Sequence, residues 1–276
     1  MAEEEKPFAS AQASVVLVGE LMKAAGNDPN VKEAAGNLGK AAVTLSRTIN
    51  NALLPLAAVN FAFDKARAYF EGNFQNDVAE RAASIPLESL QEPKASVAGP
   101  ALQALAFTHE EKSLKDMFLG LLATAMDSRR SELAHPAFVE IIKQLDAGEA
   151  KHLIQMLKSK VYVPIVSVER RGVDGGQNIL ARHLVDLIDS TTREPIRLSR
   201  FPAMLENWSR LGLVDIRYDA WIKDDSAYNW VEVRPEYLEL KGLHESPENS
   251  VSFSKGYVHV THLGAEFAEA IAVESL

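Results

Sequence analysis

Residues 85–107 read IPLESLQEPKASVAGPALQALAF, and the helix pattern that follows this stretch decides the fold class. Pro86 and Pro93 bias the residues before them away from helical backbone, so the spacing predicts an extended connector over 85–96. Gly99-Pro100 then predicts a helix start, because proline at a first helical position lacks only a donor that would go unpaired anyway. Leu102, Leu105 and Ala106 fall on one side of that helix. Thr108-His109-Glu110-Glu111 has capping-box spacing, with Thr108 as the cap and Glu111 reaching back three positions. Leu114, Met117, Phe118, Leu121, Leu122 and Met126 then recur at helical spacing, close to the full apolar face of one bundle helix.

The same periodicity extends in both directions. Residues 1–8, MAEEEKPF, read as a disordered tail. Val15, Val18, Leu21 and Met22 mark a helix over 9–25, which Gly26-Asn27-Asp28-Pro29 breaks. Asn30 caps a second helix through Val31, Leu38 and Leu45, and a third runs through Phe61, Ala66, Tyr69 and Phe70 towards Ala83. Downstream, His135-Pro136 opens a helix with Phe138, Ile141 and Ile142 inward, and Asp146 caps one more that ends near Lys160. Short links between helices favour antiparallel packing, so residues 9–160 are expected to form a helical bundle.

The pattern changes at residue 161. Val161–Val168, VYVPIVSV, is β-branched and alternating, although Pro164 points to an edge strand. Residues 170–177 form a glycine-rich loop, and Ile179–Ile188 reads as helical. Ser199–Leu211 is a helix stopped by Gly212, Leu213–Ile216 a strand, Tyr257–Val260 a returning strand, and Thr261 the cap of a closing helix. Helix, glycine turn, strand, polar excursion, strand and helix make a winged-helix-like α+β module over 161–276. The expected fold class is therefore mainly α, an N-terminal bundle followed by that small module.

Net charge is −9, which argues against bulk electrostatic binding to nucleic acid or anionic membrane. The charge is uneven: residues 151–217 carry 11 basic and 7 acidic side chains, residues 218–250 carry 3 and 8. With no cysteine, disulfides, thiolate metal sites and a cysteine nucleophile are excluded, which fits a cytoplasmic location. No secretory leader pattern opens the chain, and the longest uncharged run, residues 48–63 (TINNALLPLAAVNFAF), is 16 residues long against the ~20 needed to span a bilayer.

No recognisable catalytic motif stands in the sequence. His109-Glu110-Glu111-Lys112-Ser113 lacks the second histidine of a zincin helix, and Gly172-Val173-Asp174-Gly175-Gly176 lacks the lysine and hydroxyl of a phosphate loop. His259 and His262 straddle an element boundary without a fixed carboxylate, so no metal or cofactor is expected. Asp215, Glu232 and Arg234 only loosely echo a nuclease cluster and read as surface charges. Nucleic-acid contact, if any, falls to Arg197, Arg200 and Arg210 around the 199–211 helix. Docking on a membrane or a partner falls to Leu53, Leu54, Leu56, Val59 and Phe61, although a buried core helix is the simpler reading of that run.

Several separated blocks share one resemblance. Ile85–Leu105, Leu114–Met126 and HPAFVEIIKQL (135–145) resemble the abortive infection alpha, or Abi-alpha, family. MLENWSRLGLVDI (204–216) is similar to its "NLERLGLI" segment and YVHVTHLGAEF (257–267) to its closing "LTPLGxxF" segment, with His262 where that family commonly has proline. The resemblance covers roughly residues 55–272 and implies a role in defence against phage, with no catalytic set to carry over. The resulting expectation is a non-enzymatic defence factor working through self-assembly and contact with a phage or host protein. The alternatives are a winged-helix DNA-binding regulator and a membrane-active effector using residues 48–63.

Overall fold

A computed structural model describes residues 60–158, 162–189 and 191–273. The expected helices over 9–25 and 30–45, and Leu53, Leu54, Leu56 and Val59, lie outside the described residues. The chain is α+β and divides into two compact units, one formed by residues 1–154 and 266–276, the other by 155–265.

Helices make up the first unit: α1 (Asn60–Gly72), α2 (Phe74–Ala82), α3 (Ala95–Thr108), α4 (Lys112–Met126), α5 (Pro136–Ile142) and the start of α6 (Ala147–Lys158). Leu102 and Leu105 of α3 and Met117, Phe118, Leu121 and Leu122 of α4 are fully buried, as the helical spacing predicts. The connector lies along the end of α4: the Gln91 N–H donates to the Met126 carbonyl (2.8 Å) and the Ser128 N–H to that of Ser89 (2.8 Å). Asp127, buried at that junction, accepts two hydrogen bonds from the Arg129 guanidinium (2.9 and 2.7 Å) and one from its backbone N–H (3.0 Å). Those hydrogen bonds hold its carboxyl below the ordinary aspartate range against the cost of burial. Half-buried charges tie α1 and α2 to α4: Asp77 accepts from Tyr69 and Lys115 (2.9 Å each), and Arg81 meets Asp116 at 2.8 Å.

Two local expectations fail here. Helix α3 begins at Ala95, not at Pro100, which lies inside it. Lys94 is extended, and its carbonyl accepts the N–H groups of Val97 and Ala98 (2.9 and 3.0 Å), so the turn forms ahead of the proline and buries both side chains. No capping box forms either. Thr108 ends α3 and donates its hydroxyl back to Ala104 (3.0 Å), Glu110 reaches Lys65, and Glu111 makes no side-chain cap. His135 and Asp146 do cap α5 and α6, accepting from Ala137 (3.1 Å) and Glu149 (2.8 Å).

Residues 266–273 also belong to the first unit and carry the end of α9 (His262–Ala270), a helix that begins in the second. Phe267 packs edge-on against Phe138 at 5.4 Å between ring centroids. A side chain at Gly120, in the buried middle of α4, would collide with the Ile271 backbone carbonyl. Only a bare Cα admits the chain there.

A four-stranded antiparallel sheet, in the order β2–β1–β4–β3, organises the second unit: β1 (Val163–Gly172), β2 (Gln177–Val185), β3 (Val214–Arg217) and β4 (Asn249–Val260). Two expectations are corrected. Residues 179–185 form strand β2, because Ile179, Ala181, Leu184 and Val185 pair with β1 across a bulged register. The bulge breaks the alternation that would have announced the strand. β1 is an inner strand, and Pro164 is tolerated because β2 pairs with β1 only from Ile165 onward, leaving the proline with β4 as its one neighbour. Val166, Val168 and Val251 on one sheet face pack with Tyr228, Val231 and Tyr237 from the 218–248 excursion, which contains two short 3-10 turns and α8 (Pro235–His244). Helix α7 (Phe201–Arg210) contacts β2 and β3, burying Leu205 and Trp208, and Gly212 turns the chain at φ +75°. Thr261 caps α9 by accepting from the Gly264 N–H (2.9 Å) while donating to the Gly212 carbonyl (2.6 Å).

Gly120→Ala is expected to lower unfolding stability by about 1–3 kcal/mol. Chemical denaturation followed by circular dichroism checks this, with Gly99→Ala, where a Cβ meets nothing within 4 Å, as the control.

Candidate functional site

Two groups of polar side chains in the second unit are held more tightly than surface charges need. The first centres on Arg234, which immediately precedes α8. The sequence pattern suggested a surface charge, but the side chain is 2% exposed. Its Nε and NH2 donate to the two carboxylate oxygens of Glu236 (3.0 and 3.3 Å). NH1 donates to Asp186 (3.3 Å) and to the Leu187 carbonyl (2.8 Å), and NH2 also reaches the Ile196 carbonyl (2.6 Å). A guanidinium keeps its charge at any ordinary pH, so its burial requires this set of acceptors.

The two carbonyls belong to the base of a short antiparallel arm. The Ile196 N–H donates to Leu187 (2.8 Å), Ile188 bridges Pro195, and the Asp189 N–H donates to Glu194 (2.9 Å). At the tip Asp189 Oδ1 accepts from the N–H groups of Thr191 and Thr192 (2.8 Å each), which holds its carboxyl below the usual range. Residues 191–197 are exposed throughout, and Ile188 is also exposed. Arg234 therefore fixes the root of a projecting arm to the start of α8, and it separates two exposed aliphatic side chains, Val233 and Leu238, along the chain.

His183 centres the second group. It sits in β2 with φ +56°, a left-handed backbone uncommon for a side-chain-bearing residue. Its backbone N–H donates to the Tyr218 hydroxyl (3.2 Å), its Nδ1 lies 3.2 Å from the same oxygen, and its Nε2 lies 3.5 Å from Glu206 of α7. One proton arrangement satisfies every atom: the Tyr218 hydroxyl donates to Nδ1 while accepting the backbone N–H, and Nε2–H points at Glu206. Burial lowers the imidazole pKa, assisted by Arg182 and opposed by Glu206. Burial also pushes the Tyr218 hydroxyl up to about 12. Next to it, buried Glu169 accepts from Ser254 (2.7 Å) and Gln177 (2.5 Å). This arrangement is able to position a neutral imidazole and a protonated phenol, and it stiffens the bulged strand.

The arginines expected to meet nucleic acid are dispersed. Arg197 pairs with Glu239 of α8 (2.7 Å), and Arg210 grips Asn207 of its own helix (3.2 and 2.6 Å). Arg200 stands at the N-cap position of α7, so about 15 Å of helix separates it from Arg210. Phe61 falls in α1. The His259 ring lies tilted against those of Tyr162 and Tyr257 (centroids 5.3 and 5.7 Å apart), whereas His262 begins α9 and is exposed. Among the described residues no group of three or more His, Asp or Glu is placed to hold a metal ion, and no helix is long and apolar enough to cross a membrane.

Sequence reasoning missed Arg234, His183 and Tyr218 as organising residues. Glu236, two residues on, is a local acceptor for Arg234, but Asp186, Leu187 and Ile196 lie 38–48 residues away along the chain.

The family described as abortive infection alpha matches residues 66–271. The chain belongs to that family. The match takes in both units, from α1 to the turn after α9, and contains every block on which the sequence resemblance rests. No curated protein and no solved structure matches the chain. In this abortive infection alpha protein, both the arm and the His183 cluster lie inside the span the family defines.

Arg234→Met is expected to cost about 3–5 kcal/mol, because Asp186 and Glu236 lose their buried counter-charge. The drop in thermal midpoint reads it. A pH effect follows from His183. Its pKa is lower folded than unfolded, so the unfolded chain binds the proton more readily, and stability falls as pH drops below about 6.5. In His183→Asn, which tolerates the left-handed backbone and does not titrate there, the urea midpoint is expected to depend less on pH between 7.5 and 5.

Proposed function

We propose that this protein is a phage-defence factor of the abortive-infection type that acts by binding, through self-assembly and contact with a phage or host protein, and not by catalysis. The observation that carries the reading is the family match over residues 66–271. Exposed apolar surface supports a binding role. Of eleven large hydrophobic side chains exposed among the described residues, ten lie in 155–265.

We read the second unit as winged-helix-like, on the order of α7, the Gly212 turn, β3 and the antiparallel β4 beside it. Its departures are α8 between those strands and the sharing of β4 with β1. A DNA-binding role draws less support, since Arg197 is neutralised by Glu239 and Arg210 is engaged within its own helix. Winged-helix modules also serve protein contacts, and the exposed aliphatic residues fit that use better.

Cells carrying the gene are expected to yield fewer plaques with at least one phage in a broad panel. In liquid culture at high phage-to-cell ratio they are expected to stop growing before progeny appear. Equal plaquing with and without the gene across the panel removes the defence reading.

A further inference from the structure

We propose that the open end of one sheet face, around Tyr162, Tyr257 and His259, binds an organic cation: a guanidinium or quaternary ammonium group held on the tyrosine rings beside the Asp215 carboxylate. The site stands on ring geometry and local charge and does not depend on the defence reading.

Strand register places these groups on one surface. Residues directly opposite each other in an antiparallel pair point to the same face. Tyr257 lies opposite Pro164 of β1 and Arg217 of β3, and His259 lies opposite Asp215. Tyr162 immediately precedes β1, and its ring centroid is 4.7 Å from that of Tyr257 and 5.3 Å from that of His259. The 218–248 excursion covers the far end of this face, over Val166, Val168 and Val251. The near end is open: Tyr162 is 57% exposed, and the Asp215 and Arg217 side chains are 44% and 43% exposed. Interplanar angles of 67° and 58° mean that neither neighbouring ring lies flat on Tyr162, so a face of its ring is available to a ligand. The His259 Nδ1 is buried without a hydrogen-bond partner, so the imidazole contributes surface to the cluster. Asp215 and Tyr162 flank His259 from the two neighbouring strands, about 10 Å apart at two strand spacings. A head group seated over His259 therefore has a tyrosine ring on one side and a carboxylate on the other.

Chemistry selects the ligand. Elsewhere the chain twice sets a cation over a tyrosine ring and holds that cation with an aspartate. Lys255 lies 5.3 Å from the Tyr228 ring centroid and pairs with Asp225 (2.7 Å). Lys115 lies 5.8 Å from that of Tyr69 and pairs with Asp77 (2.9 Å). Around Tyr162 the rings and the carboxylate recur, and no lysine or arginine among the described residues lies over either tyrosine. Arg217 is gripped by both carboxylate oxygens of Asp219 (2.7 and 2.5 Å) and lies 3.7 Å from Asp215. Two carboxylates against one guanidinium leave the patch negative, and the negative face of an aromatic ring adds to the attraction for a cation. The same balance disfavours a phosphate backbone, because surfaces that stack bases set their rings in a basic groove.

Titration of the full chain, with carbon-13 in its tyrosine rings, tests the site. The ligands are tetramethylammonium chloride and N-acetylargininamide, with sodium chloride as the control for ionic strength. The Tyr162 and Tyr257 signals are expected to shift to saturation with both cations. Tyr162→Phe is expected to keep the affinity, while Tyr162→Leu and Asp215→Asn each raise the dissociation constant about threefold or more. tert-Butanol, similar in shape to tetramethylammonium but uncharged, is expected to bind at least about threefold more weakly. Neither Tyr162 nor Asp215 is buried, so an unchanged melting curve confirms that the variants fold. A glycine peptide with one central arginine separates the two sources of cation. Binding tighter than N-acetylargininamide assigns the site to an arginine of a partner protein, and equal binding assigns it to a free small cation; both keep the proposal. An absence of saturable shifts with either cation overturns it, as does equal binding by tert-butanol or by the folded Tyr162→Leu variant. Binding of oligothymidylate that is lost in Tyr162→Leu also overturns it and makes the face a base-stacking surface.

Discussion

The second unit depends on one buried guanidinium. Once Arg234 is out of water its donors must meet acceptors, and the fold supplies them from Asp186, Leu187, Ile196 and Glu236. This single requirement brings together three stretches of chain: the exit from β2, the approach to α7 and the start of α8. It also explains why a segment as exposed as 191–197 has a defined base. Hydrophobic burial alone would not specify that geometry, since apolar contacts are tolerant of small shifts while a hydrogen-bonded fork is not.

The His183 cluster, within β2 itself, works in a similar manner. A bulge lets β2 follow β1 with an irregular register, and the Tyr218 hydroxyl accepts the N–H that the bulge turns out of the ladder. Tyr218 reaches this place because Gly256 of β4 has no side chain to exclude its ring. In the first unit the analogous constraint is steric. Gly120 leaves α4 bare where the chain after α9 must pass, and the helices around it bury Met117, Phe118 and Leu121 without a break.

Much of this was readable from periodicity. The α4 pattern at Leu114, Met117, Phe118, Leu121 and Leu122, the caps at His135, Asp146 and Thr261, and the stop at Gly212 all follow local rules, and local rules need only neighbouring residues. The failures share a physical character. Strand β2 looked helical because its bulge hides the two-residue repeat, and β1 looked like an edge because the relief of Pro164 depends on where another strand ends. The Thr108 box failed because Thr108 stays in the last turn of α3, where its hydroxyl donates to the Ala104 carbonyl, and Glu111 itself takes the N-cap position of α4. The candidate sites were less legible still. His183 and, apart from its bonds to Glu236, Arg234 owe their roles to partners distant in sequence, and no local pattern reports such partners.

The membership of residues 266–273 in the first unit has a consequence for biogenesis. The second unit lies, along the chain, between α6 and the segment that fills the space beside Gly120. A ribosome must therefore translate through all of 155–265 before the helices made first receive their last packing partner. Until then Phe138 and the bare stripe of α4 have no covering from Phe267 and Ile271. Completion of the helical unit is therefore timed by synthesis of the sheet.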